Sequence, residues 1–233
     1  MARTVDEQAH AQARNRILDG AERIILTRGF EGMTVQQLLD ELQISKGAFY
    51  HYYESKLDLL EALIERRLDR VRQLLEPIVC EEGRGALDKL QAIFDATTQF
   101  KSQQKELFLS VLHVYFDDGN ATFRVKARRG KTLRLAPLLA RVIRQGRAEG
   151  VFQASSPERT AEIVWGLEQD LSDSLGLLLL SASHGHDVDL QQLETTVAAY
   201  REAIERVLGA PAGSLQLDRT PLVEWLCAAR DSA

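Results

Sequence analysis

The sequence is poor in the residues that build disulfide scaffolds, metal sites and turn-rich sheets. Its two cysteines, Cys80 and Cys227, are far apart and belong to no CxxC or metal-ligand spacing, which argues against a disulfide framework and a structural zinc site. We expect two reduced thiols, because a redox role would need a lowered thiol pKa that a sequence does not reveal. The 5 prolines and 15 glycines among 233 residues favour long helices over a sheet protein.

Long apolar runs are missing as well. The most apolar stretch, residues 176–182, is far shorter than the roughly 20 residues that span a bilayer. The N-terminal segment is polar and charged, unlike a secretory signal. The composition, 45% hydrophobic and 27% charged, is that of an ordinary globular protein. The sequence therefore predicts a cytoplasmic protein with no membrane partner.

An excess of basic charge is also absent. The net charge is −5, and residues 1–57 carry seven Lys or Arg against eight Asp or Glu. Such a balance argues weakly against a nucleic-acid partner. Any argument for DNA binding must therefore rest on where the charges lie and not on their sum.

The segment from Thr34 to Lys56 contains two short helices with clear start signals. Thr34 and Gln37 form a capping box for the first helix, which follows a helix predicted over Asn15–Arg28. About three residues later, Ser45 is the N-cap of a second helix, predicted over Lys46–Tyr53. Two capped helices joined by such a tight turn predict a helix-turn-helix, whose second helix enters the DNA major groove.

The second helix divides its side chains between two faces. Phe49 and Tyr53 lie four residues apart and are expected to pack on the preceding helices. The opposite face carries Lys46, Gly47, Tyr50 and His51, next to the small Ala48. A basic group, hydroxyl and imidazole donors, and residues with almost no side chain suit close contact with phosphates and base edges. Thr34 and Lys56 open the flanking helices, whose N–H groups are natural phosphate ligands.

A generic helical hairpin with core aromatics is the alternative interpretation. It accounts for Phe49 and Tyr53. It accounts less well for Tyr50, His51 and Tyr52 together, since three adjacent rings cannot all face one narrow core. A metal or catalytic role for His51 is disfavoured because no cysteine lies at helical spacing from it, where the one acidic residue is Glu54.

The rest of the chain is predicted to be helical. A long helix begins at Lys56 and ends near Leu75, before Pro77. Further helices are predicted over residues 86–101, 105–116, 121–148, 157–181 and 190–208, with Pro137 kinking or splitting the third of these. A loose tail follows, with one short helix near residues 222–229. The predicted fold class is all-α.

Ile17–Leu63 resembles the N-terminal domain of the TetR family of bacterial transcriptional regulators. The resemblance rests on these motifs: Gly29-Phe30, Met33-Thr34, Ser45-Lys46-Gly47, the block Phe49 to Tyr53, and Ser55-Lys56 followed by Leu59-Leu60. The chain departs from the family pattern at Gln43 (usually Gly), Tyr53 (usually Phe) and Leu57 (usually Glu). The resemblance implies DNA contacts, with Gln36 as a candidate base reader, from Thr34, Lys46, Gly47, Ala48, Tyr50, His51 and Lys56.

The same resemblance implies how the whole chain is organised. Residues 1–56 would form the helix-turn-helix domain, residues 57–210 a helical effector-binding and dimerisation domain, and residues 211–233 a tail. The implied function is a ligand-responsive regulator, most often a repressor, that binds a palindromic operator and is released by a small-molecule effector. An effector would act by shifting the long helix at residues 56–75. No cofactor, metal or catalytic residue is implied.

Two features of the C-terminal part are interpreted in the same light. Aromatic residues that could line an apolar effector pocket are Phe94, Phe100, Phe108, Tyr115, Phe116, Phe123 and Trp165, although for any single one a plain core role is the favoured interpretation. The helices predicted at about 157–181 and 190–208 carry apolar stripes that could pair with a second copy, giving a homodimer.

Other readings of the chain remain open. The run from Arg124 to Arg147 holds nine Lys or Arg and no acid, which indicates either a solvated face that balances acidic neighbours or a site for an anionic effector. An enzyme using His113 or the pair His184 and His186 is a rival, but no nucleophile–base spacing or phosphate loop supports it. A helical adaptor that keeps a relic helix-turn-helix is the second rival.

Overall fold

The computed structural model of the chain describes residues 2–218 and 220–230, and all regular structure in these ranges is helical, as predicted. One short 3-10 helix, Asp118–Asn120, precedes α7. The α-helices are α1 (Ala2–Gly32), α2 (Val35–Leu42), α3 (Lys46–Tyr50), α4 (Lys56–Cys80), α5 (Ala86–Gln103), α6 (Lys105–Phe116), α7 (Ala121–Ala148), α8 (Pro157–Ser183), α9 (Leu190–Leu208) and α10 (Thr220–Arg230).

The helices pack as two compact units. The N-terminal unit contains the chain up to Arg67 together with Gln104–Ala127, and the C-terminal unit contains Leu68–Gln103 and the chain from Arg128 onward. In packing, the division falls inside α4, and α6 supplies side chains to the core of the N-terminal unit. The predicted domains of residues 1–56, 57–210 and 211–233 stay a prediction.

The core of the N-terminal unit is formed by α1, α2, α3, α6 and the first turns of α4 and α7. Gly20 on α1 lets α2 approach closely, since a Cβ there would lie 2.9 Å from a methyl group of Leu42. Arg66 on α4 also reaches α1 and pairs with Asp19 and Glu22, both at 2.6 Å. These contacts fix α2 and α4 against α1, and α3 follows α2 directly in the chain.

Helix α1 is longer than the predicted Asn15–Arg28. It begins at Ala2, because the polar residues ahead of Asn15 contain good helix formers and no Gly or Pro. Gly29 breaks it with φ 73° and ψ 163°, so a last short turn to Gly32 follows in a new direction. The extension places residues 8–16 beside the helix-turn-helix.

Two prolines lie inside helices that were expected to end or split at them. Pro77 lies within α4, which continues to Cys80, and Pro137 lies within an unbroken α7. Both prolines are exposed. On a solvent-facing side, the carbonyl four residues earlier can be hydrated in place of its lost hydrogen bond, so the helix continues at a reduced stability.

The C-terminal unit has its own core, in which α8 packs against α9 and α10. The segment after α9 is not the loose tail that was expected. The buried carboxylate of Glu205 accepts hydrogen bonds from the Gly213 and Leu215 amides at 3.0 and 2.9 Å. Leu215 is fully buried. This carboxylate therefore holds the segment against the core.

A buried charge cluster joins α5, α7 and α8. Lys101 and Lys131 both donate to the Glu168 carboxylate, Lys101 at 2.7 Å, and the Lys131 ammonium lies 5.3 Å from the centre of the Trp165 ring. Burial raises the pKa of Glu168, but the two ammonium groups outweigh burial and hold its pKa at about 2. Burial lowers the pKa of Lys131, and Glu168 opposes that shift. The cluster therefore depends on its one shared carboxylate.

We predict that Glu168→Gln lowers the free energy of unfolding by about 3 kcal/mol, because two ammonium groups lose their shared counter-ion. Adding Lys131→Met to Glu168→Gln should recover much of the loss. Since the folded-state pKa of Glu168 lies below its ordinary value of 4.5, its stabilising effect should be present above pH 4.5 and disappear toward pH 2. Urea titrations of the three proteins between pH 3 and 7 measure this, and equal stability of wild type and Glu168→Gln would contradict it.

The turn of the helix-turn-helix contains a strained residue. Gln43 is the C-cap of α2 with φ 52° and ψ 48°, and it is the one non-glycine residue with positive φ in the described ranges. Its side-chain amide donates to the Asp40 carbonyl at 2.6 Å. Arg16 on α1 donates to the Leu42 carbonyl at 2.8 Å and so satisfies a free C-terminal acceptor of α2. These bonds hold a conformation that glycine would adopt without strain.

We predict that Gln43→Gly raises the free energy of unfolding by up to about 1 kcal/mol. The substitution relieves the left-handed strain of residue 43, and this gain exceeds the cost of the entropy that glycine adds to the unfolded chain. The matched control, Gln43→Ala, keeps the strain and loses the bond to Asp40, so it should lower stability. Thermal or urea unfolding compares the three proteins. A glycine variant no more stable than the alanine variant would show that the turn is not strained.

Candidate nucleic-acid interface

The start of α2 is fixed by the predicted capping box. Thr34 Oγ1 accepts from the Gln37 amide at 3.2 Å, and the Gln37 side chain accepts from the Thr34 amide at 2.9 Å. Thr34 is exposed, as is Gln36, whose amide donates to Asp40 one turn later at 2.8 Å. The opening turn of α2 therefore presents ordered N–H groups and a polar side chain to the outside.

Helix α3 is short and begins at its predicted cap. Ser45 Oγ accepts from the Ala48 amide at 3.1 Å. Regular helix ends at Tyr50, three residues before the predicted end, and His51 and Tyr52 form a turn. The His51 amide still donates to the Gly47 carbonyl at 3.0 Å, so the turn prolongs the path of the helix.

The two predicted faces of α3 are separated as expected. Phe49 is 0% exposed and Tyr53 is 2% exposed, and both belong to the core of the N-terminal unit. Burial raises the pKa of the Tyr53 hydroxyl, and the nearby Arg14 charge opposes the shift. These two rings anchor the C-terminal end of α3 and the turn that follows it.

The other face of α3 is open. Tyr50 is 46% exposed, and Lys46, Gly47, Ala48 and His51 are exposed too. The Lys46 ammonium lies 5.8 Å from the centre of the Tyr50 ring and makes no ion pair in the described part of the chain. A cation, a hydroxyl and an imidazole thus lie together on one exposed surface. They could donate to phosphates or base edges.

Gly47 is not required by the packing of the chain itself. A Cβ built on it would meet only Ser45 Oγ, at an ordinary 3.9 Å. Within a helix, glycine costs stability relative to alanine. The surface above Gly47 is therefore open.

Lys56 is held in a defined place. Its ammonium donates to the Glu31 carbonyl at 3.2 Å and lies 4.3 Å from the centre of the Phe30 ring. Burial lowers its pKa, and the Glu31 charge opposes the shift. Lys56 begins α4, where Ser55 accepts from the Asp58 amide at 3.0 Å. It therefore joins the start of α4 to the short turn after Gly29.

Ion pairing explains how an N-terminal unit with no basic excess can present a cation. The Glu41 carboxylate pairs with Arg23 at 2.9 Å, and Asp19 and Glu22 pair with arginines of α4. These three acids are neutralised within the unit. Lys46 lies on the exposed face and makes no such pair in the described part of the chain.

The sequence analysis missed the contribution of the first helix. His10 lies against the rings of His51 and Tyr52, with ring centres 5.7 and 4.7 Å away. Residues 10 and 14 lie one turn apart on the same helix, a spacing that could have pointed to a shared face. Nothing in the sequence indicated that this face meets the end of α3.

The predicted effector-pocket residues do not form a single cluster. Phe94 and Trp165 are buried in the core of the C-terminal unit, with Phe100 packed at its edge. Tyr115 and Phe123 pack in the core of the N-terminal unit, where Phe116 contacts Tyr115 at 5.1 Å between ring centres. Phe108 is half-buried on α6. An effector pocket lined by these residues stays a prediction.

The basic run on α7 is largely paired with acids. Lys126 pairs with Glu61, Arg128 with Asp170 and Asp173, and Lys131 with Glu168. Further along, the pairs are Arg134 with Asp69, Arg141 with Glu76 and Arg144 with Glu158. The pattern favours the interpretation of a helix face that balances acidic neighbours.

Helices α8 and α9 present less free apolar surface than the dimer prediction assumed. Leu193 and Ile204 of α9 are fully buried in their own unit, because α8 and α9 pack on each other. Ile163 and Leu177 of α8, by contrast, are 52% and 53% exposed. A surface for a second copy would therefore lie mainly on α8.

The next features concern a membrane and a metal ion as partners. In the described part of the chain, no helix is long and apolar enough to cross a membrane. Among the same residues, no group of three or more His, Cys, Asp or Glu is arranged to hold a metal ion. Cys80 is exposed, and its sulfur lies 3.2 Å from an Arg141 nitrogen. The side chain of Cys227 lies outside the described residues.

Comparison with known sequences matches the same segment. The profile of a family described as bacterial regulatory proteins, tetR family, matches residues 17–63. The transcriptional repressor NemR of Escherichia coli K12 is 31% identical over 94 residues, 40% of this chain and 47% of NemR. The repressor AcnR of Corynebacterium glutamicum is 34% identical over 77 residues, 33% of this chain and 41% of AcnR. The chain thus spans about half the length of these two relatives or less.

Solved structures extend the likeness to the fold of most of the chain. Thermus thermophilus FadR, a TetR family transcriptional repressor in complex with lauroyl-CoA, has a TM-score of 0.60 at 22% identity, covering 82% of this chain and 94% of FadR. Salmonella enterica GusR has a TM-score of 0.55 at 19% identity, covering 85% and 96%. These matches show that residues 17–63 are similar to bacterial regulatory proteins of the tetR family, and that most of the chain shares the fold of FadR and GusR.

Proposed function

We propose that the chain is a ligand-responsive transcriptional repressor that binds a palindromic DNA operator as a homodimer in the cytoplasm. The observation that carries the proposal is the separation of side chains between two faces: Phe49 is buried, while Lys46, Tyr50 and His51 are exposed. A capped helix with an exposed basic and aromatic face, following a tight turn, suits the major groove. The repressors among the curated relatives support the same function.

Each exposed group has a role in the proposed complex. Lys46 would reach a phosphate or a guanine edge, while Tyr50 and His51 would donate to phosphates or bases. Ala48 and Gly47 would let the backbone approach the groove. The capped starts of α2 and α4, at Thr34 and Lys56, would bind phosphates through their N–H groups. Gln36 would reach a base from the second residue of α2.

The proposed homodimer would present two copies of α3 to the two halves of a palindrome. Half-sites are expected about one DNA turn apart, roughly 34 Å. The exposed Ile163 and Leu177 of α8 support a second copy as the partner of this helix, because burying them removes apolar surface from water.

The proposed effector is a small molecule bound by the C-terminal unit. Response to a small molecule is supported by FadR, of similar fold, whose structure contains lauroyl-CoA. Helix α4 is continuous from Lys56 to Cys80, so a shift of its last turns would also move its first turns. A coupling of about 1–3 kcal/mol between effector and operator affinity is enough to release DNA.

Selection from a random DNA pool tests the function directly. We predict that the purified protein enriches a palindrome and that its affinity falls steeply with salt, because bound phosphates release counterions. Lys46→Ala should weaken binding and reduce the salt slope by about one. Lys105→Ala, a lysine on α6 with no proposed DNA role, is the matched control. Binding that is insensitive to salt and DNA sequence would instead favour the adaptor.

Gly47 provides a test in which stability and affinity move in opposite directions. We predict that Gly47→Ala stabilises the fold by up to about 1 kcal/mol, since alanine is the better helix former. It should weaken operator binding at least tenfold, about 1.4 kcal/mol, because the added methyl blocks close approach. The reverse variant, Ala48→Gly, should lower stability and leave intrinsic affinity almost unchanged. If Gly47→Ala binds the operator as tightly as the wild type, the exposed face of α3 is not part of the DNA interface.

A further inference from the structure

The extension of α1 ahead of the matched family segment makes a ring contact with the proposed DNA-reading face. The His10 ring lies 5.7 Å from the His51 ring with an interplanar angle of 78°, and 4.7 Å from the Tyr52 ring at 51°. The His51 and Tyr52 rings are 5.0 Å apart at 80°. Although His10 and His51 are 41 residues apart in the chain, the rings of His10, His51 and Tyr52 thus form one small cluster.

The contact continues along the same face of α1. One turn after His10, Arg14 lies close enough to Tyr53 for its charge to oppose the rise in the Tyr53 pKa. One further turn on, Leu18 is buried in the core. The part of α1 that contains His10 and Arg14 therefore runs along the segment from His51 to Tyr53.

His51 needs such support because its own side chain is weakly held. Its backbone is fixed by the bond to the Gly47 carbonyl, but its imidazole makes no hydrogen bond within the described part of the chain. The neighbouring rings of His10 and Tyr52 are the ring contacts that it makes in the described part of the chain. An exposed side chain that is ordered before binding loses less entropy when it meets its ligand.

We propose that His10 is a positioning residue for operator reading, which orients the His51 imidazole toward the DNA by edge-to-face packing. The inference rests on the proposed function. His10 acts through His51 and Tyr52 and contacts no base itself. Because the cluster is exposed, His10 contributes little to folding and mainly sets the orientation of the imidazole. Removing the His10 ring should weaken operator binding and reduce the preference for one base at the position that His51 reads.

The experiment compares variants on the duplex that the wild-type protein selects. His10→Ala removes the ring, His10→Phe keeps an edge-to-face partner, and His10→Gln keeps polarity without a ring. Gln12→Ala, an exposed residue of the same helix, is the matched control. His51→Ala and the double variant His10→Ala/His51→Ala complete a double-mutant cycle. Affinity, thermal midpoint and a repeated selection are measured for each.

We expect His10→Ala and His10→Gln to lose about three- to tenfold in affinity, the range measured for aromatic pairs. His10→Phe and Gln12→Ala should stay within about twofold of wild type, with thermal midpoints unchanged throughout. In the His51→Ala background, His10→Ala should have no further effect. The inference would be overturned if His10→Ala bound with wild-type affinity, or if His10→Ala lowered affinity in the His51→Ala background as much as in the wild type. Either result would leave the proposed function standing. Failure of the wild-type protein to select any sequence would overturn both.

Discussion

The proposed DNA-reading surface depends on the burial of one side chain, Phe49. Helix α3 has five residues, and isolated helices shorter than about 12 residues are marginal in water. It persists because Phe49 is fully buried in the core of the N-terminal unit and Ser45 caps its first turn. The orientation of Lys46, Tyr50 and His51 is therefore set by a residue on the opposite side of the helix. Stability and recognition are separated on two faces of the same short element.

The neighbouring elements hold this arrangement from three directions. Gly20 lets α2 seat closely on α1, and the strained Gln43 turn directs the chain from α2 into α3. Lys56 ties the start of α4 to the Phe30 ring and the Glu31 carbonyl. Each contact restrains a backbone whose N–H groups would meet phosphates. The interface is thus ordered before any ligand binds, which reduces the entropy lost on binding.

Features encoded locally could be predicted from the sequence, and features set by tertiary packing could not. The capping box at Thr34, the cap at Ser45 and the two faces of α3 depend on residues within one or two turns. Pro77 and Pro137 were expected to break helices, but their solvent-facing positions depend on the packing of the whole unit. The contact between His10 and His51 joins separate helices, as do the bonds of Lys101 and Lys131 to Glu168. The aromatic residues expected in one pocket belong to two cores for the same reason.

The central claim is that the exposed face of α3, with the starts of α2 and α4, contacts DNA. Amide hydrogen exchange of the protein with and without its selected duplex measures this most directly. The account predicts new protection of amides near Thr34, Lys46, Gly47 and Lys56, with little change at the already buried Phe49. Protection that appears only elsewhere, for example along the basic face of α7, would contradict it.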